Sequence, residues 1–67
     1  MIPVIFNLED WEGWTVERNM ERNVLSVPRT GEMIHYKDSH FKVRKVTYDL
    51  DCGSLTPVIK IYAKTGD

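Results

Sequence analysis

The chain has 67 residues, 42% of them apolar, which is material for one small core and leaves no room for a second domain. Its net charge is −1, from 9 Lys and Arg against 10 Asp and Glu, a balance that argues against a dedicated nucleic-acid or membrane-surface protein. A single cysteine, Cys52, excludes an intramolecular disulfide and a multi-cysteine zinc site, and fits a reducing, cytoplasmic setting. The charge is unevenly placed: residues 1–25 carry −3, residues 26–45 carry +3 and residues 46–67 carry −1. So small a core leaves a thin stability margin, which is in keeping with a homo-oligomer.

Ile2-Pro3-Val4-Ile5-Phe6 is an apolar run of strand length, too short for a signal segment or a membrane span. It reads as a strand covered on both faces or used in an oligomer contact. Next, Asn7 offers a cap and Glu9 and Asp10 supply first-turn acids, so a single short helix is predicted near residues 8–13, stopped by Gly13. The competing reading is a hairpin turning at Glu12-Gly13 with Trp11 and Trp14 on its flanks. Asn19–Asn23 is polar and reads as loop or a helical turn. Val24, Leu25 and Val27 suggest a short strand ending at Pro28, and Thr30-Gly31 a turn.

From Glu32 to Leu50 the pattern is that of a hairpin. With Asp38-Ser39 as its central residues, Tyr36 faces Phe41 and Ile34 faces Val43 on one side. His35, Lys37, His40 and Lys42 then share the other. The phase slips after Val43, because Val46, Tyr48 and Leu50 have the opposite parity. One extra residue near Arg44-Lys45, a β-bulge, returns them to the core side. Asp51-Cys52-Gly53-Ser54 supplies a turn. A last strand near Leu55–Ala63 sets Ile59, Ile61 and Ala63 against Lys60, Tyr62 and Lys64, with Pro57 at its entry. The expected architecture is mostly β: one domain over residues 1–67, a small bent antiparallel sheet or barrel of about five strands.

Leu25-Ser26-Val27-Pro28-Arg29-Thr30-Gly31-Glu32-Met33-Ile34, followed by Phe41-Lys42-Val43-Arg44-Lys45-Val46-Thr47-Tyr48-Asp49, resembles a pattern in small uncharacterised bacterial and phage proteins. There a Val-Pro-Arg-x-Gly stretch precedes a β-hairpin and then an aromatic-x-Val-x-x-Val strand. The resemblance covers roughly residues 24–63 and implies a small SH3-like β-barrel. It implies no chemistry, because the shared positions set turns and fill a core.

The residues that carry chemistry elsewhere are scattered here. His35 and His40 would share the outer face of the hairpin, far from Cys52, at no recognised metal-ligand spacing. Asp49 and Asp51 flank Cys52 and would raise its pKa, which works against a thiolate nucleophile. Ser26, Ser39 and Ser54 lack a triad context, and no phosphate-binding loop, nucleophile elbow or HExxH is present. The carboxylates of Glu9, Asp10 and Glu12 and of Asp49 and Asp51 cluster without the spacing of a calcium loop. No cofactor and no enzymatic activity are expected.

Two binding surfaces remain. Trp11 and Trp14 lie in an acidic segment with Glu9, Asp10 and Glu12. Either the indoles plug one end of the barrel, or they anchor a protein interface, as Trp often does. Alternatively Arg29, Lys37, Lys42, Arg44 and Lys45 form a basic face for nucleic acid. In the predicted register Tyr36, Phe41 and Tyr48 point away from that face, which removes a stacking platform. The sequence is therefore read as a non-enzymatic protein-binding module, an inhibitor or accessory protein, with nucleic-acid binding as the alternative and no membrane partner.

Overall fold

Val4, Phe6 and Leu8 alternate with Ile5 and Asn7, and that period of two makes the first segment a strand with one buried face. The computed structural model describes residues 1–50 and 58–66. Those residues form five strands: β1 (Ile2–Glu9), β2 (Thr15–Val24), β3 (Met33–Tyr36), β4 (Ser39–Asp49) and β5 (Val58–Thr65). The sheet order is β2-β1-β5-β4-β3. The expectation of a small, bent, mostly β architecture of about five strands is met. One pairing departs from an all-antiparallel sheet: β1 and β5 run parallel, so the sheet is mixed.

The predicted helix near residues 8–13 is absent; Leu8 and Glu9 complete β1, and a hairpin loop follows. The polar stretch Asn19–Asn23 lies within β2 rather than in a loop or helical turn. As an edge strand, β2 needs little apolar surface, and its Glu and Arg side chains discourage edge-to-edge pairing. Its pairing with β1 shifts twice, and Asn19 has φ 55, with its N–H donating to Asn7 Oδ1 at 3.1 Å. Such bulges add twist and bend the sheet. No strand forms over Leu25–Val27: Val24 ends β2, and Leu25 is exposed.

The β3–β4 hairpin exists with its faces as predicted and a different register. His35 pairs with His40 and Ile34 with Phe41, so the turn is centred on Lys37-Asp38. Both have positive φ, 49 and 64, the conformation of a two-residue type I′ turn, whose twist matches that of the strands. Moving the turn back by one residue changes each partner by two, so every side chain keeps its face. The bulge in β4 is where the phase slip places it, between Val43 and Lys45. It returns Val46 to the core side, whereas Tyr48 and Leu50 lie beyond the core and are exposed.

The two sheet edges approach each other. Tyr36 on β3 donates its hydroxyl to Glu17 Oε1 on β2 at 3.1 Å, and Lys37 Nζ stands 3.8 Å from the same oxygen. The sheet is thus curled into a half-barrel. Its concave side buries Val4, Phe6, Leu8, Phe41, Val43, Ile59, Ile61 and Ala63, fringed by Met20, Val27, Ile34 and Tyr36. A turn over Arg29–Glu32 enters β3: Glu32 N–H donates to the Arg29 carbonyl and Arg29 N–H to Glu32 Oε1. The readings of Asp51-Cys52-Gly53-Ser54 as a turn and of Leu55–Pro57 as strand entry lie outside the described residues.

Candidate functional site

The β1–β2 connection is a three-residue loop held from within. Asp10 and Trp14 close it, with Asp10 N–H donating to the Trp14 carbonyl at 2.9 Å. Gly13 N–H donates to the Asp10 carbonyl at 3.0 Å, and Gly13 takes φ +91, which favours glycine there. Asp10 Oδ1 accepts the N–H groups of Glu12 and Trp14, each at 2.9 Å. A charged acceptor on two backbone donors is a strong local constraint. The sequence decides this hairpin over the helix through that aspartate and that glycine.

The indoles do not plug the barrel. Trp11 is 70% and Trp14 71% exposed at the tip of the hairpin. Trp11 lies over Gly66, where a Cβ would stand 3.0 Å from Trp11 Cβ and where φ is +79, so glycine lets the tip settle against the end of β5. The acidic trio divides. Asp10 holds the loop, Glu9 accepts the Tyr62 hydroxyl at 2.7 Å, and Glu12 is exposed with no side-chain partner among the described residues.

The predicted basic set also divides. Lys42, Arg44 and Lys45 lie together on the convex face of β4. Arg29 lines a cleft with Val46 and Tyr48, and Lys37 sits at the β3–β4 turn with Glu17. In their place β5 contributes Lys60 and Lys64, with Tyr62 between them. Lys42 pairs directly with Lys64, Lys45 with Tyr62, and Thr47 with Lys60. The expectation that this face lacks a stacking platform took account of Tyr36, Phe41 and Tyr48 alone; Tyr62 is on it. The alternation Ile59-Lys60-Ile61-Tyr62-Ala63-Lys64 carries that signal, since an inward Ile61 turns Tyr62 outward with the lysines.

A cleft of about 390 Å³ opens at the junction of hairpin tip and basic face, lined by Trp11, Arg44, Tyr62, Lys64, Thr65 and Gly66. The hydrogen bond to Glu9, burial and the nearby carboxylate charge raise the Tyr62 pKa above its ordinary 10.0, with Arg44 opposing. At neutral pH Tyr62 is therefore a neutral donor with a fixed ring. On the same face, one step beyond the Lys42–Lys64 row, His35 and His40 are cross-strand partners, their ring centroids 4.8 Å apart.

No known protein family, curated protein or solved structure compared with this chain matches it. Among the described residues no helix is long and apolar enough to cross a membrane.

Proposed function

We propose that the protein is a non-enzymatic binding module that docks on a protein partner through the tip of its β1–β2 hairpin, as an inhibitor or accessory protein does. What supports this reading is the exposure of two indoles on a loop that its own hydrogen bonds already hold in place. Burying most of one indole removes roughly 150 Å² from water, or about 4 kcal/mol at ~25 cal/mol per Å². Two such anchors exceed what many interfaces draw from their strongest residues. A loop ordered in advance loses little further entropy on docking, so more of that energy appears as affinity. Glu12, without a side-chain partner among the described residues, suits a basic rim on the partner. The lone Cys52 supports a cytoplasmic setting, and the Val-Pro-Arg-x-Gly stretch an SH3-like relationship of fold.

The test is capture by the tagged full chain, followed by native mass measurement of what is bound. Replacing Trp11 and Trp14 by Ala should reduce capture by about 100-fold, and Glu12→Lys by less. A partner held equally well by the double variant would overturn this reading.

A further inference from the structure

We propose that the convex face of β4 and β5 binds single-stranded nucleic acid, its phosphates on the four lysines and Arg44 and one base stacked in the cleft between Trp11 and Tyr62. This inference does not rest on the hairpin docking to a protein. Five of the chain's nine cations share this face, although the net charge is −1. None of the five has an ion-pair partner among the described residues, where the one ion pair is Lys37–Glu17. Lys42 and Lys64 stand directly opposite each other across β4 and β5. Like charges at such a position disfavour the folded sheet. Glu9, beside Lys64 on β1, offsets part of that repulsion, and an anion lying across Lys42 and Lys64 would relieve the rest.

The ligand must be extended and must carry flat rings. Lys60 and Lys64 are four residues apart on one strand, about 13 Å at roughly 3.3 Å per residue, farther than one phosphate reaches. Between them is Tyr62, its ring oriented by the hydroxyl's bond to Glu9, and beside it the indole of Trp11, seated on Gly66. Cations alternating with aromatic faces match phosphates alternating with bases. An acidic peptide would answer the charges and leave the rings without a counterpart. A duplex keeps its bases stacked and offers edges only inside its grooves, where a short convex sheet does not reach. An unpaired strand can turn one base into the open cleft.

The experiment is fluorescence anisotropy of a labelled oligothymidylate of about 12 nucleotides titrated with the full chain, with tryptophan quenching followed in parallel. Binding through about four phosphates should weaken on the order of 50-fold between ~50 and ~200 mM salt. Combining Lys42→Glu with Lys64→Glu should weaken it about tenfold or more, with Lys→Gln at both as a milder pair and circular dichroism verifying the fold. Trp11→Ala should weaken it by about 5- to 100-fold and abolish part of the quenching. Arg29→Gln, on the cleft with Val46 and Tyr48, should change nothing. The proposal is overturned if no binding occurs at low salt, or if the oligothymidylate annealed to its complement binds as tightly. Anionic vesicles bound in preference to the oligonucleotide, or an equal loss on Arg29→Gln, would also overturn it.

Discussion

On the concave side of β1, β4 and β5 alternate residues are apolar and buried; on the convex side the same strands carry Lys42, Lys45, Lys60 and Lys64 around a single tyrosine. The concave residues are chosen by the need for a dry interior. The convex ones contribute nothing to that interior, and the repulsion of Lys42 and Lys64 is countered from one side, by Glu9 on β1. Composition that folding does not require is therefore most informative on the convex side and at the hairpin tip that overhangs it. The two exposed tryptophans belong to the same category, because a small chain gains no stability from indoles left in water.

The largest effect that would separate the two faces is expected at Phe41, 1% exposed in the centre of the concave side. Phe41→Ala should cost about 3–5 kcal/mol, close to the whole stability of a chain this size, and urea unfolding would read it. A cost below 1 kcal/mol would mean that the concave face is not the core. Asp10→Ala comes next. It removes the acceptor of two backbone N–H groups and should cost roughly 1–2 kcal/mol, with faster amide exchange confined to the hairpin tip. At the other hairpin Asp38→Gly should stabilise by about 1 kcal/mol, since glycine adopts φ 64 without the strain a side chain brings.

The smallest effect is on the convex side and depends on pH. Tyr62 has a raised pKa in the folded chain, chiefly through its bond to Glu9, so the folded state holds that proton where the unfolded chain releases it. Its contribution is complete below the unfolded value of 10.0 and fades as pH rises through the folded pKa. Thermal melting should therefore fall more steeply above pH 10 in the natural chain than in Tyr62→Phe. Parallel slopes would mean that the Tyr62–Glu9 bond is not formed in solution.

Much of this architecture is legible in the residues, and what is not has physical causes. The apolar run Ile2–Phe6 and the alternation in Ile59–Lys64 mark β1 and β5, and the parity change after Val43 marks the bulge. β2 escapes because it is polar and its two bulges break the period of two. The turn of the β3–β4 hairpin is misplaced by one residue because Lys37-Asp38 lacks the Asn-Gly type of signal for a type I′ turn. The parallel pairing of β1 with β5 joins the two ends of the chain, and no local pattern encodes it. Of the candidate surfaces, the tryptophans are evident as residues, but their exposure depends on a turn that competes with a helix start. The basic face is half visible: Lys42, Arg44 and Lys45 follow from β4, whereas Lys60, Tyr62 and Lys64 join them only once β5 lies beside it.

The claim on which both binding surfaces depend is that the hairpin tip holds its indoles in water. Acrylamide quenching of Trp11→Phe and Trp14→Phe, each leaving one indole to report, tests it in the free chain. Both should be quenched almost as readily as in urea, with emission close to that of the unfolded protein. A shielded, blue-shifted indole in either variant, at concentrations where the chain is monomeric, would contradict the account.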